Sequence, residues 1–161
     1  MFGRRRSTEP KAMKQDTDSI TELVRRSLDV AELKYTYSNA TNHFSIVFMG
    51  DDLPINVNLV VDDLTIRFVS HLDLKAKPEK YKDVAWELNG INKRLRFGAF
   101  YLDPDDGMIS FEYSFPYVEA NPSTDFILAF MKMFVGTVDE HDGDLKNLAE
   151  SVSASRNAMY G

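Results

Sequence analysis

The sequence predicts an α+β domain: an antiparallel sheet of about six strands in the order α-β-β-β-β-α-β-β-α, with the helices packed on one face. Three observations carry this. Period-two alternation from Tyr35 to Phe68 is interrupted only by short Asn-, Asp- and Gly-containing turns. A helix-period segment follows, and then a second period-two hairpin closes at Asp103 to Gly107 ahead of an almost wholly apolar helix. Strands that adjoin through tight turns pair antiparallel, because parallel pairs need long crossovers.

The first helix is expected to begin near Ser19, where Ser19 and Glu22 have the spacing of a capping box and Ile20, Leu23, Val24, Ser27, Leu28 and Ala31 form one face. Four strands then form a meander. Tyr35 and Tyr37 are followed by Phe44, Ile46 and Phe48, then Ile55, Val57, Leu59 and Val61, then Leu64, Ile66 and Phe68. One face of that meander is apolar, and the other is wet or covered by a partner.

Pro78 suits the first turn of the second helix, whose core face reads Tyr81, Val84, Leu88, Ile91 and Leu95. At 100° per residue the only Trp of the chain, Trp86, lies about opposite that stripe, beside Lys82, Gly90 and Lys93. Strand five, Leu95 to Leu102, is apolar on both sides towards its end and reads as a central strand. Strand six alternates Ile109, Phe111, Tyr113 and Phe115. The third helix starts around Asn121 to Ser123 and runs to Val138, apolar almost all round and so buried on more than one side. An acidic linker, Asp139 to Asp144, is expected to separate it from a short terminal helix bearing Leu145, Leu148, Ala149 and Val152.

The domain organisation follows: residues 1–16 a disordered basic tail, 17–152 a single domain, 153–161 a frayed end. With 161 residues, 43% hydrophobic and 12% aromatic, the chain buries enough apolar surface for one core. There is no Cys, which excludes disulfides, thiol catalysis and thiolate metal sites. The longest apolar run, 126–138, contains Lys132 and falls well short of the roughly 20 residues of a spanning helix. No apolar segment follows the basic start, so no secretory signal is expected and a cytoplasmic location is the default.

Charge is uneven. Residues 1–14 carry five Lys or Arg against one Glu, leaving 14 basic against 24 acidic residues for the remainder, +4 against −10. An acidic body disfavours nucleic acid, and only Arg4, Arg5 and Arg6 could supply a basic stripe, so no nucleic-acid partner is expected.

Chemistry finds little support. His43, His71 and His141 have no Glu or His at ligand spacing, and catalytic residues are expected to be none. Asp103 and Asp105 open like an EF-hand loop, but Gly107 and Ser114 break the pattern and the flanks are strands, so a hairpin turn is the reading. Asp139, Glu140, His141, Asp142 and Asp144 have ligand-type side chains, but an acidic linker is the commoner meaning, so no metal and no cofactor are expected. Phosphate loops, nucleophile elbows and zincin helices are absent.

The segments LNGINK (88–93), RFGAFYLD (96–103) and ISFEYSF (109–115) resemble those of the YbjN-type bacterial sensory transduction regulators. The match rests on Leu88, Asn89, Asn92, Gly98, Phe100, Leu102, Asp103 and Gly107. The resemblance implies an architecture shared with the class I type III secretion chaperones, small acidic α+β proteins that dimerise and hold an extended partner chain. It would place the second helix at a dimer interface. Trp86, Gly90, Lys82 and Lys93 are therefore the expected interface residues, the alternative being a Trp laid over Lys stems. Asn89 and Asn92 are expected to satisfy backbone groups at a structural junction.

Two functions are carried forward. One is a non-catalytic, chaperone-like or regulatory homodimer that binds a protein segment through a sheet edge or an apolar groove. The other is a small-molecule sensor or cryptic enzyme with a pocket between sheet and helices lined by Phe97, Tyr101, Phe111 and Tyr113.

Overall fold

A computed structural model of the chain describes residues 9–118 and 120–150, with side chains from Thr17 onward. The expected Arg4 to Arg6 tail and the frayed end at 153–161 lie outside the described residues. Helix α1 (Glu9–Val30) begins ten residues before Ser19. The helix-forming run around Ala12, Met13 and Lys14 outweighs the capping box, leaving Ser19 as an exposed interior residue rather than a cap. Residues 9–16, expected in the tail, belong to this helix. It ends in a Schellman motif: Leu33 N donates to Leu28 O at 3.0 Å and Glu32 N to Asp29 O at 3.0 Å, with Glu32 held at φ 53°.

Strands β1 (Tyr35–Ser38), β2 (His43–Met49), β3 (Pro54–Val61) and β4 (Thr65–Lys75) form the meander, and β5 (Ala99–Leu102) and β6 (Met108–Pro116) complete a six-stranded antiparallel sheet. The strand order is β1-β2-β3-β4-β6-β5. Strand five is therefore an edge and not a central strand. It is shortened to four residues because Gly98, at φ 64°, passes over the Phe111 ring and turns Leu95 to Gly98 into a loop. Its double-sided apolarity has another cause: α2 (Tyr81–Asn92) flanks it, while Tyr101 is half exposed on the opposite face.

Alternation places Phe44, Val57, Leu59, Phe68 and Phe111 on the helix-covered face, all fully buried. The opposite face carries Thr36, Ser45, Asn58, Arg67, Glu112 and Ser114, as a wetted sheet face should. Helix α3 (Thr124–Glu150) lies across the apolar face, with Phe130 and Phe134 against Phe68 at 5.0 and 5.7 Å and Phe134 against Phe111 at 4.9 Å. It also packs on α1 and α2. It is one continuous helix through Gly136 and the acidic stretch, and the expected linker does not exist. Buried residues on both sides of Gly136, Phe134 and Val138 ahead of the stretch and Leu145 and Ala149 beyond it, anchor the helix against the roughly 1 kcal/mol that a mid-helix Gly costs.

The end where α1 meets the β3–β4 turn is stitched by Tyr117, whose hydroxyl donates to Asp62 O at 2.6 Å and lies 3.1 Å from Thr17 Oγ1. Among the described residues no helix is long and apolar enough to cross a membrane.

Candidate interaction site

Helix α2 starts after a 3-10 turn, Pro78–Lys80, with Pro78 in the first turn where a missing N–H costs nothing. Val84, Leu88 and Ile91 turn inward and are at most 3% exposed. Trp86, set by the same periodicity on the far side, is 78% exposed. At that exposure the ring is not laid over Lys stems. Lys82 and Lys93 are exposed beside it, and a Cβ built on Gly90 would meet nothing within 4 Å. Nothing in the monomer requires glycine there.

Between α2 and β5 runs an open groove of about 460 Å³. Tyr81, Lys82, Ala85 and Asn89 line its helix side, and Tyr101 and Leu102 its strand side. Asn92 closes the groove floor. Its Oδ1 accepts the Phe100 N–H at 2.8 Å and its Nδ2 donates to the Phe100 carbonyl at 2.9 Å. Asn89 does not share this junction: three residues earlier it is rotated towards the groove, exposed, and makes no side-chain hydrogen bond among the described residues.

Of the four aromatics expected to line a sensor pocket, three pack on one another and Tyr101 lines the α2–β5 groove. Phe97 packs edge-on against Phe111 and Tyr113 at 6.2 and 5.8 Å, and Tyr113 stacks near Phe130 at 4.6 Å, filling the space, while Tyr101 faces outward. Two of the three carboxylates of the Asp103 to Gly107 turn serve the turn itself: Asp103 Oδ1 accepts Asp105 N at 2.8 Å and Asp106 Oδ1 accepts Met108 N at 2.9 Å. The second of these, with Lys75 at 3.2 Å, holds the Asp106 carboxyl below its usual pKa. Among the described residues no three His, Asp or Glu side chains are placed to hold a metal ion. His43 Nε2 lies 2.8 Å from Asn58 Oδ1, and His141 packs edge-on against Phe100 at 5.7 Å.

One group escaped the sequence reading. Asp142 is fully buried in α3. A signal was present, because Val138, Asp142, Leu145 and Ala149 form a buried i, i+4, i+7, i+11 stripe with one acid in it. The surrounding acids disguised it as linker.

Fold and site together define a small single-sheet α+β domain whose distinctive surface is the α2–β5 groove beside an exposed Trp. The model of the YbjN family, described as "Putative bacterial sensory transduction regulator", matches residues 21–146, and the chain belongs to that family. A similar solved structure is that of YbjN from E. coli, described as a "putative transcription regulator", at 14% identity and a TM-score of 0.60, covering 77% of this chain and 92% of the other. At that identity the likeness establishes the fold. No curated protein sequence matches the chain.

Proposed function

We propose that this domain is a non-catalytic regulatory module of the cytoplasm that works as a homodimer and binds protein, with the Trp86 face of α2 and the adjoining α2–β5 groove as its contact surface. The observation that carries this is the exposure of Trp86, 78%, next to a groove whose lining includes Ala85, Leu88, Phe100 and Leu102. A Trp left in water forgoes about 1.5–3 kcal/mol of burial that an interface would recover. Trp is also the residue most enriched at the energetic centres of interfaces. The open space around Gly90 lets another backbone approach the helix.

A partner segment added as an extra strand fits β1 better than β5. Asn92 already occupies the outward N–H and C=O of Phe100, whereas Tyr35 to Ser38 pair on one side only. The non-catalytic reading is supported by Asn92, whose side-chain oxygen and nitrogen are both taken up by the Phe100 backbone.

Light scattering tests the dimer. The wild-type chain should have the mass of a dimer, and Trp86→Ala should shift it towards monomer. Its unfolding midpoint extrapolated to low protein concentration should move by less than about 0.5 kcal/mol, because the ring is exposed in the monomer. An unchanged mass for Trp86→Ala removes that residue from the interface.

A further inference from the structure

The β2–β3 turn docks on α3 through two glycines and a set of carboxylates. Asp139 Oδ1 accepts the Asp51 N–H at 2.7 Å, and a Cβ at Gly50 would collide with that same carboxylate. From the other side, the Asp52 carboxylate lies where a Cβ of Gly143 would stand. Asp142 is enclosed at this contact with 0% exposure, and neither of its oxygens has a hydrogen-bond partner. The charges that act on it are those of Asp139 from its own helix and of Asp52 and Asp51 from the turn, all acidic. Lys146, one turn along α3, forms no ion pair with it among the described residues.

A buried carboxylate with three acidic neighbours and no donor is costly when charged and inexpensive when neutral. We propose that Asp142 makes the docking of the Gly50 to Asp52 turn on α3 a pH-sensitive latch, closed while its carboxyl is protonated and loosened when it ionises. Burial first, and then the charges of Asp139, Asp52 and Asp51, push its pKa up to about 6; the Gly143 N–H, outside hydrogen-bonding geometry, offsets only part of this. The latch therefore switches in mildly acidic solution, between the ordinary 3.8 and about 6. Its effect would reach the groove through His141, the residue before Asp142, whose ring rests on Phe100. That consequence rests on the groove reading above, but the latch itself does not.

Amide hydrogen exchange at Gly50 to Leu53 and Gly143 to Ala149, corrected for intrinsic rates, tests it between about pH 5 and about pH 7.5. Protection should fall with rising pH by about tenfold across this window, the part above about pH 5 of the roughly 160-fold that separates a pKa of about 6 from the ordinary 3.8. In Asp142→Asn the protection should be high and flat across the range. Asp52→Asn, a change in the exposed turn that leaves the core intact, should move the wild-type transition to lower pH.

Flat protection in the wild type overturns the proposal. So does a transition that persists in Asp142→Asn, or one that disappears in His141→Gln. Restoration of protection at the higher pH by millimolar magnesium or calcium would mark a cation site and overturn the latch as well. None of these outcomes depends on whether Trp86 mediates a dimer.

Discussion

The side-chain amide of Asn92 stands beside Phe100 as a seventh strand would, donating to its carbonyl at 2.9 Å and accepting from its N–H at 2.8 Å. An edge strand that presents both groups to solvent is a template for unwanted pairing, and one amide at the end of α2 removes it at this position. The same two bonds tie the end of α2 to β5.

Asn92→Ala should destabilise the domain by about 1–3 kcal/mol, the cost of leaving two backbone groups unsatisfied. Asn92→Asp should cost more than the Ala variant at neutral pH, since a carboxylate keeps the bond from the Phe100 N–H but faces its carbonyl without a donor. Urea unfolding compares them; an Asp variant as stable as wild type would show that the Nδ2 bond contributes nothing. Both variants should also aggregate more readily through β5.

Much of this was legible in the sequence, for reasons that particular elements make plain. The outward direction of Trp86 follows from helical periodicity, because Val84, Leu88 and Ile91 fix the inward face. Asn92 as a junction residue could be anticipated from the LNGINK segment, but the separation of its role from that of Asn89 could not. That distinction depends on where β5 lies. The edge position of β5 escaped because an edge strand flanked by a helix has the same two-sided apolar pattern as a central one. The continuity of α3 escaped because glycine and acid runs are local breakers, whereas what holds the helix together is tertiary: Phe130 and Phe134 on one side of Gly136, Leu145 and Ala149 on the other. Local propensity lost to packing there, as it did at Ser19 in α1.

Backbone geometry at three positions predicts substitutions of opposite sign. Beyond the chain neighbours and the adjoining backbone of α3, nothing lies within 4 Å of where a methyl group on Gly136 would stand, so Gly136→Ala should stabilise α3 by about 0.5–1 kcal/mol. Glu32 sits at φ 53° where a Schellman motif favours glycine, so Glu32→Gly should also stabilise, by up to about 1 kcal/mol. Gly107, at φ 76° with the Ala76 carbonyl and Tyr81 against it, should not tolerate Ala, at a cost above about 1 kcal/mol. Thermal unfolding orders the three; a stabilising Gly107→Ala would contradict the hairpin geometry.

Two aspartates should shape the pH profile of stability in opposite directions. Burial would raise the pKa of Asp62, but the N–H of Leu64 at 2.9 Å, the Thr65 hydroxyl at 2.8 Å and the Thr65 N–H at 2.7 Å, with Arg67 nearby, bring it below 3.8. A depressed folded pKa gives stability that is present above the unfolded value and lost as pH falls through the folded one. Asp142 has the opposite sign: its folded pKa lies above 3.8, so the domain is unpenalised below that value and loses stability as pH rises through about 6. The loss is at most about 3 kcal/mol at 1.36 kcal/mol per pKa unit, and smaller if the turn lifts away first. Urea unfolding across a pH series should therefore show a maximum in mildly acidic solution. Asp62→Ala should flatten the acid limb and cost about 1–3 kcal/mol near neutrality. Asp142→Asn should flatten the other limb and gain stability above about pH 6. If Asp142→Asn is instead less stable than wild type at every pH, its carboxylate has a partner that offsets its burial, and the unpaired placement in α3 is wrong.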